Sequence, residues 1–165
     1  MTEPLSLDCT PCPHLLASSS KGDLALIAVG NSLVAGDSTA LTLLERLSCK
    51  TSACRFPVGI YTSVIAAIIA CHRAYVIIDA MPDAEETEEH ETLIPLTRAV
   101  LDNRAPGSPG LRASHGLSFM DELRILARTD KTLPMGYFLG IPGNRIDASL
   151  QVLEQALEQG LEHRS

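Results

Sequence analysis

Leu24-Ala25-Leu26-Ile27-Ala28-Val29-Gly30-Asn31 is the stretch that decides the fold. Its first six residues are all apolar, without the alternation of a half-exposed strand, and the run stops at a glycine-asparagine turn. A continuous apolar run of this length, closed by a turn signal, reads as a strand buried on both faces, which is the environment of a parallel sheet covered by helices.

Working outward from that strand, Ser38 and Thr39 stand where they can cap a helix carrying Leu41, Leu43, Leu44 and Leu47. A short second strand is expected over 55–60, then a helix over 63–73 that is apolar nearly all round. Tyr75-Val76-Ile77-Ile78 is a further buried strand, its β-branched content favouring strand over helix. Leu93 to Leu96 is expected at a sheet edge, where Pro95 is tolerated because an edge strand can lack a donor. Phe119, Leu123, Leu126 and Ala127 set a helical period over 117–128, Tyr137 to Ile141 is the last strand, and Ile146, Leu150, Leu153, Leu157 and Leu161 mark a C-terminal amphipathic helix. Strands alternating with helices predict an α/β fold: a mainly parallel twisted sheet of about five strands with helices on both faces. Residues 1–23 show no sustained period and are expected to form a flexible arm, leaving 24–165 as one domain.

The 165 residues are 45% hydrophobic and 20% charged, ordinary values for a folded domain. Thirteen Lys and Arg against twenty Asp and Glu give a formal charge of −7, and no basic run interleaves with aromatic residues. This excludes a nucleic-acid binder that works through clustered positive charge. The longest strongly apolar stretch, Val64 to Cys71, is too short to span a bilayer, and the N-terminus has no signal-peptide pattern, so we expect a cytoplasmic monomer that binds no membrane. The five cysteines, Cys9, Cys12, Cys49, Cys54 and Cys71, are read as reduced thiols, with Cys71 filling core.

In an open α/β sheet ligands collect outside the carboxyl ends of the strands. Three residues fall at such places: Asp37 after strand one, Asp79 at the end of the Tyr75 to Ile78 strand, and His115 just before the helix near Leu117. Two carboxylates and an imidazole suit a borderline divalent metal such as nickel or zinc with coordination positions left open. From spacing alone, capping of the following helices is the simpler use for the two aspartates. Gly30-Asn31 could also receive a phosphate at a helix start, yet neither a Gly-x-Gly-x-x-Gly nor a P-loop pattern is present, and a Gly-x-Ser-x-Gly elbow is missing too. The acidic run 82–91 is most simply a solvated loop, and Asn103 to Gly110 a mobile loop beside His115. Cys9-Thr10-Pro11-Cys12-Pro13-His14 offers soft ligands but lacks a second pair, so an arm with exposed thiols is the simpler reading.

The segment Leu26 to Asp37 resembles the opening of the nickel-iron hydrogenase maturation endopeptidases, where a strand runs into Gly-Asn-x-Leu and an acidic pair. Tyr75-Val76-Ile77-Ile78-Asp79-Ala80 is similar to that family's strand ending Asp-Ala, Ser114 to Leu123 to its histidine-bearing helix start, and Gly140-Ile141-Pro142 to its last strand and turn. The likeness spans about residues 24 to 163 in the same order. It implies a phosphorylase/hydrolase-like α/β domain in which Asp37, Asp79 and His115 bind nickel already inserted in the hydrogenase large-subunit precursor. The enzyme would then remove the precursor's C-terminal extension. Nickel comes with the substrate, so no tightly bound metal is expected at rest, and Asp37 or Asp79 would be the general base of the hydrolysis. The chain departs from the family pattern at Gly36, where a second acid is usual, at Ala40, where a glycine is usual, and over Val58-Gly59-Ile60-Tyr61-Thr62, where the family is glycine-rich. These departures leave open a non-catalytic chaperone or binding protein for the immature large subunit. A small flavodoxin-like nucleotide-binding domain is the third reading, resting on the Gly30-Asn31 turn alone.

Overall fold

Hydrophobic runs without charge become the middle of the sheet. In the computed structural model, which describes residues 22–47, 53–81, 93–102, 117–129, 133–143 and 145–160, β1 (Gly22–Val29) pairs in parallel with β2 (Cys54–Gly59) on one side and β3 (His72–Met81) on the other. Strand β3 in turn pairs in parallel with β5 (Met135–Pro142), and β4 (Leu93–Pro95) closes the edge antiparallel to β5. The strand order is β2-β1-β3-β5-β4, so the expected mainly parallel five-stranded sheet is the observed one. Strands β2, with Pro57, and β4, with Pro95, are the edge strands, where a missing donor breaks no ladder, while Pro142 is the terminal residue of β5.

Two cores form on the two faces because side chains alternate along each strand. One joins Ala25, Ile27, Val29, Tyr75, Ile77 and Phe138 to the short helices α2 (Ile65–Ala70) and α3 (Arg98–Asp102) and to α4 (Leu117–Thr129). The other joins Leu26, Ala28, Val76, Ile78 and Leu139 to α1 (Thr39–Arg46) and α5 (Ile146–Gln159). Leu26, Ile27, Ile77 and Ile78 are completely buried, and each such side chain contributes roughly 1.5–3 kcal/mol by leaving water. Arg46 and Asp147 add an ion pair between α1 and α5 at 2.5 Å. It is exposed, so it contributes little.

Strand β3 is longer than the sequence suggested, and the preceding helix is shorter. The chain makes a 3-10 turn at Thr62–Val64 and only six residues of α-helix before Cys71. His72 and Arg73 belong to β3, with the His72 Nδ1 2.7 Å from the Ile68 carbonyl. Cys71, expected in the core, lies in the turn between them and is exposed. Strand β1 begins at Gly22, two residues before the expected domain boundary.

Tyr75 is a second departure from the plain apolar strand. Its ring lies over Gly136, where an added Cβ would stand 2.2 Å from Cζ, so only glycine fits beneath it. Its hydroxyl has no hydrogen-bond partner among the described residues, and burial pushes the phenol up from 10.0 to about 12. Among the described residues no helix is long and apolar enough to cross a membrane.

Candidate active site at the carboxyl end of the sheet

The site loop is built by a bulge. Strand register between β1 and β2 shifts between Ala28 and Val29, so that Val29 faces Gly59 rather than Val58. That offset brings the Gly59 carbonyl to the Gly30 amide, which donates to it at 3.1 Å. Bulges re-aim the chain at the ends of sheets, and here the first residue past β1 is pinned to the end of β2.

Beyond that point the chain folds back on itself. The Asn31 Oδ1 accepts the Leu33 amide at 3.0 Å, a local turn that asparagine makes readily. Val34 N–H donates to the Asn31 carbonyl and Asp37 N–H to the Val34 carbonyl, each at 3.1 Å. The Thr39 hydroxyl donates to the Gly36 carbonyl and steadies the entry to α1. The Asn31 amide donates to Asp37 Oδ2 at 3.2 Å, tying the carboxylate to the end of β1. Gly30, with φ +151°, lets the loop close, because a Cβ there would sit 2.1 Å from the Asp37 carbonyl oxygen. Asp37 is 9% exposed, so its carboxylate sits in the floor of the loop.

Asp79 reaches the same end of the sheet by a different route. It does not end its strand as the sequence suggested. Asp79, Ala80 and Met81 pair with Gly140, Ile141 and Pro142 of β5, so the strand runs two residues further. A helix cap at Asp79 is thereby excluded, since strand and not helix follows it. The Ala28–Ile78 pair puts Asp79 one residue beyond the last β1–β3 partners, beside the end of β1 where the Asp37 loop begins. Asp79 is fully buried. Burying a carboxylate opposes folding unless hydrogen bonds or a cation offset it.

His115 lies outside the described residues, as do the Cys9/Cys12/His14 cluster, the acidic run 82–91 and the loop 103–110. The helix that follows His115 is well defined: α4 starts at Leu117, packs through Leu123 and Ala127 on the face that carries Tyr75 and Ile77, and leads into β5. A helix entering a parallel strand begins at the carboxyl end of the sheet, the end that holds Asp37 and Asp79. Among the described residues no group of three or more metal-ligating side chains assembles. Asp37 and Asp79 supply two oxygen donors, which fit a hard or borderline divalent ion only if a further ligand joins them.

Sequence reasoning missed Gly59, whose carbonyl anchors the loop, and the role of Asn31. The signal for the first was Pro57 followed by Gly59 at a strand end, which marks a bulge. It also missed that Gly36 takes φ +87°. An acidic side chain there would be strained, which gives a backbone reason for the departure from the expected acidic pair.

These features define a doubly covered, mostly parallel α/β fold with two buried aspartates at the carboxyl ends of β1 and β3. No protein-family model and no curated protein matches the sequence. Solved structures do: the hydrogenase maturating endopeptidase HybD from E. coli superposes with a TM-score of 0.57 at 18% identity, covering 86% of this chain and 94% of that one. A hydrogenase 3 maturation protease gives a TM-score of 0.56 at 18% identity, over 85% of this chain and 91% of its own. Hydrogenase 2 maturation peptidase from a Thaumarchaeota archaeon gives 0.51 at 15% identity, over 84% and 99%. The fold is therefore that of the hydrogenase maturation proteases.

Proposed function

We propose that the chain is an endopeptidase that removes the C-terminal extension of a nickel-iron hydrogenase large-subunit precursor once nickel has been inserted. What supports this most is that Asp37, in the loop after β1, and Asp79, at the neighbouring end of β3, belong to adjacent strands on the fold shared with hydrogenase maturation proteases. In this reading Asp37, Asp79 and His115 take open coordination positions on the precursor's nickel, so that only a loaded precursor seats its scissile bond correctly. Nickel thus belongs to the substrate. Holding the bond in place converts an encounter into an intramolecular step, which lowers the barrier to amide hydrolysis.

One of the two carboxylates then takes a proton from the attacking water as the oxygen–carbon bond forms. The proton passes to the departing amine as the carbon–nitrogen bond breaks. In this reading Asp37, which retains some exposure, meets the precursor first, whereas Asp79 lies deeper. The reaction belongs where the large subunit is assembled, in the cytoplasm.

Incubation of the chain with nickel-loaded and nickel-free precursor, followed by mass spectrometry of the precursor, tests the reading. Mass should be lost from the C-terminus of the loaded form alone. Stable binding of the loaded form with no change in its mass would replace the peptidase by the non-catalytic binding protein.

A further inference from the structure

The loops that leave β1 and β2 carry large apolar side chains that stand outside both cores of the described residues. Leu33 is 91% exposed, Tyr61 68% and Ile60 57%, with Val34 and Val64 exposed beside them. An isolated exposed leucine is ordinary. Here the two loops start side by side, joined by the Gly30 to Gly59 hydrogen bond, and one of them also carries Asp37. The sequence is without Asp, Glu, Lys or Arg from Leu24 to Gly36 and again from Phe56 to Cys71, in a chain that holds 33 such residues. Apolar side chains on two adjoining loops, with no charged residue in either stretch until Asp37 follows the first, and with an aromatic present, have the composition of the centre of a protein contact.

We infer that Leu33, Val34, Ile60 and Tyr61 form the contact face for the precursor, receiving an apolar, uncharged segment next to its scissile bond. The inference rests on the proposed function and names how the substrate is recognised. Position identifies the occupant. Val34 and Asp37 are hydrogen-bonded in one turn, so a polypeptide whose scissile bond approaches Asp37 passes over Leu33 and Val34. Charge narrows its chemistry. A Lys- or Glu-rich segment would lose hydration against the side chains of Leu33, Val34, Ile60 and Tyr61, whereas an apolar segment loses nothing. The face is thus continuous with the proposed catalytic acid and complementary to an uncharged segment of the same partner.

The test uses the full chain and a double variant, Leu33→Ser with Tyr61→Ser, acting on nickel-loaded precursor from the same source. Both side chains are exposed, so the melting temperature should not move. KM should rise at least about tenfold while kcat at saturating precursor falls far less, and the size of the free chain in solution should stay the same. An unchanged KM in an active enzyme overturns the contact face and leaves the peptidase reading standing. A variant that changes only self-association overturns it as well, since the face would then serve a second copy. If the wild-type chain binds the precursor without cutting it, and the variant binds at least about tenfold more weakly, the contact face stands and the peptidase reading falls.

Discussion

Gly30→Ala reaches the site through backbone geometry alone. The added Cβ would lie 2.1 Å from the Asp37 carbonyl oxygen, and real contacts of this kind do not fall under 3.0 Å, so the backbones of residues 30 and 37 must part by at least 0.9 Å. Gly30 also sits at φ +151°, where alanine is strained by roughly 1–3 kcal/mol. A misplacement of about 1 Å at a reacting group can lower a rate about a hundredfold. The expected result is a urea midpoint lowered by an amount equal to about 1–3 kcal/mol, with kcat/KM on loaded precursor lowered about a hundredfold in the protein that remains folded. Gly36→Ala is the control: it is strained at φ +87°, but its Cβ meets nothing within 4 Å. It should lose stability with a far smaller effect on the rate. Equal rate losses in the two variants, or wild-type processing by folded Gly30→Ala, would refute the claim that Gly30 places Asp37.

Two further substitutions separate chemistry from stability. Asp79→Asn replaces a completely buried carboxyl group by an amide of like shape, and processing of the precursor should be lost in a variant that circular dichroism shows to be folded; full processing by the folded variant would remove Asp79 from the chemistry. Tyr75→Phe deletes a buried hydroxyl that has no partner among the described residues, and should raise stability by about 1 kcal/mol at neutral pH by denaturant titration. The phenol's folded value of about 12 against 10.0 also sets a pH dependence. The protonated form is the one the fold keeps, so its contribution is whole below pH 10 and is lost as pH rises through 12. Two pH units correspond to about 3 kcal/mol, a loss that the phenylalanine variant should not show over that range.

Strands β1 and β3 were legible because residues buried on both faces leave an uninterrupted apolar signature. The ends of β3 were not. His72 looks like a helix residue after Ile68-Ile69-Ala70, yet it enters the sheet while its ring contacts the Ile68 carbonyl. Asp79 looks like a strand terminator, yet its ladder with Gly140 continues. Helix α3 was invisible to pattern because it is held from outside: Arg98 Nε donates to the Ala127 carbonyl at 3.1 Å, and Arg124 Nε to that of Leu101 at 3.0 Å. Tertiary contacts of this kind override local propensity in short helices. At the site, the sequence position of Asp37 after an apolar strand was enough to select it. The hydrogen bonds that hold it were not, since they depend on the bulge at Val58 and the turn at Asn31. The exposed side chains of Leu33 and Tyr61 carried no signal, because an apolar residue in a loop reads alike whether covered or bare.

In the proposed reaction Asp37, Asp79 and His115 act together on one ion of the precursor. That joint action is tested most directly by single-turnover cleavage of nickel-loaded precursor with the wild-type chain and with Asp37→Asn, Asp79→Asn and His115→Ala side by side, each checked for folding by circular dichroism. Since disturbing even a residue behind a metal ligand lowers activity 10–100-fold, each of the three should fall by at least about a hundredfold while remaining folded. Wild-type rates from all three folded variants would contradict it.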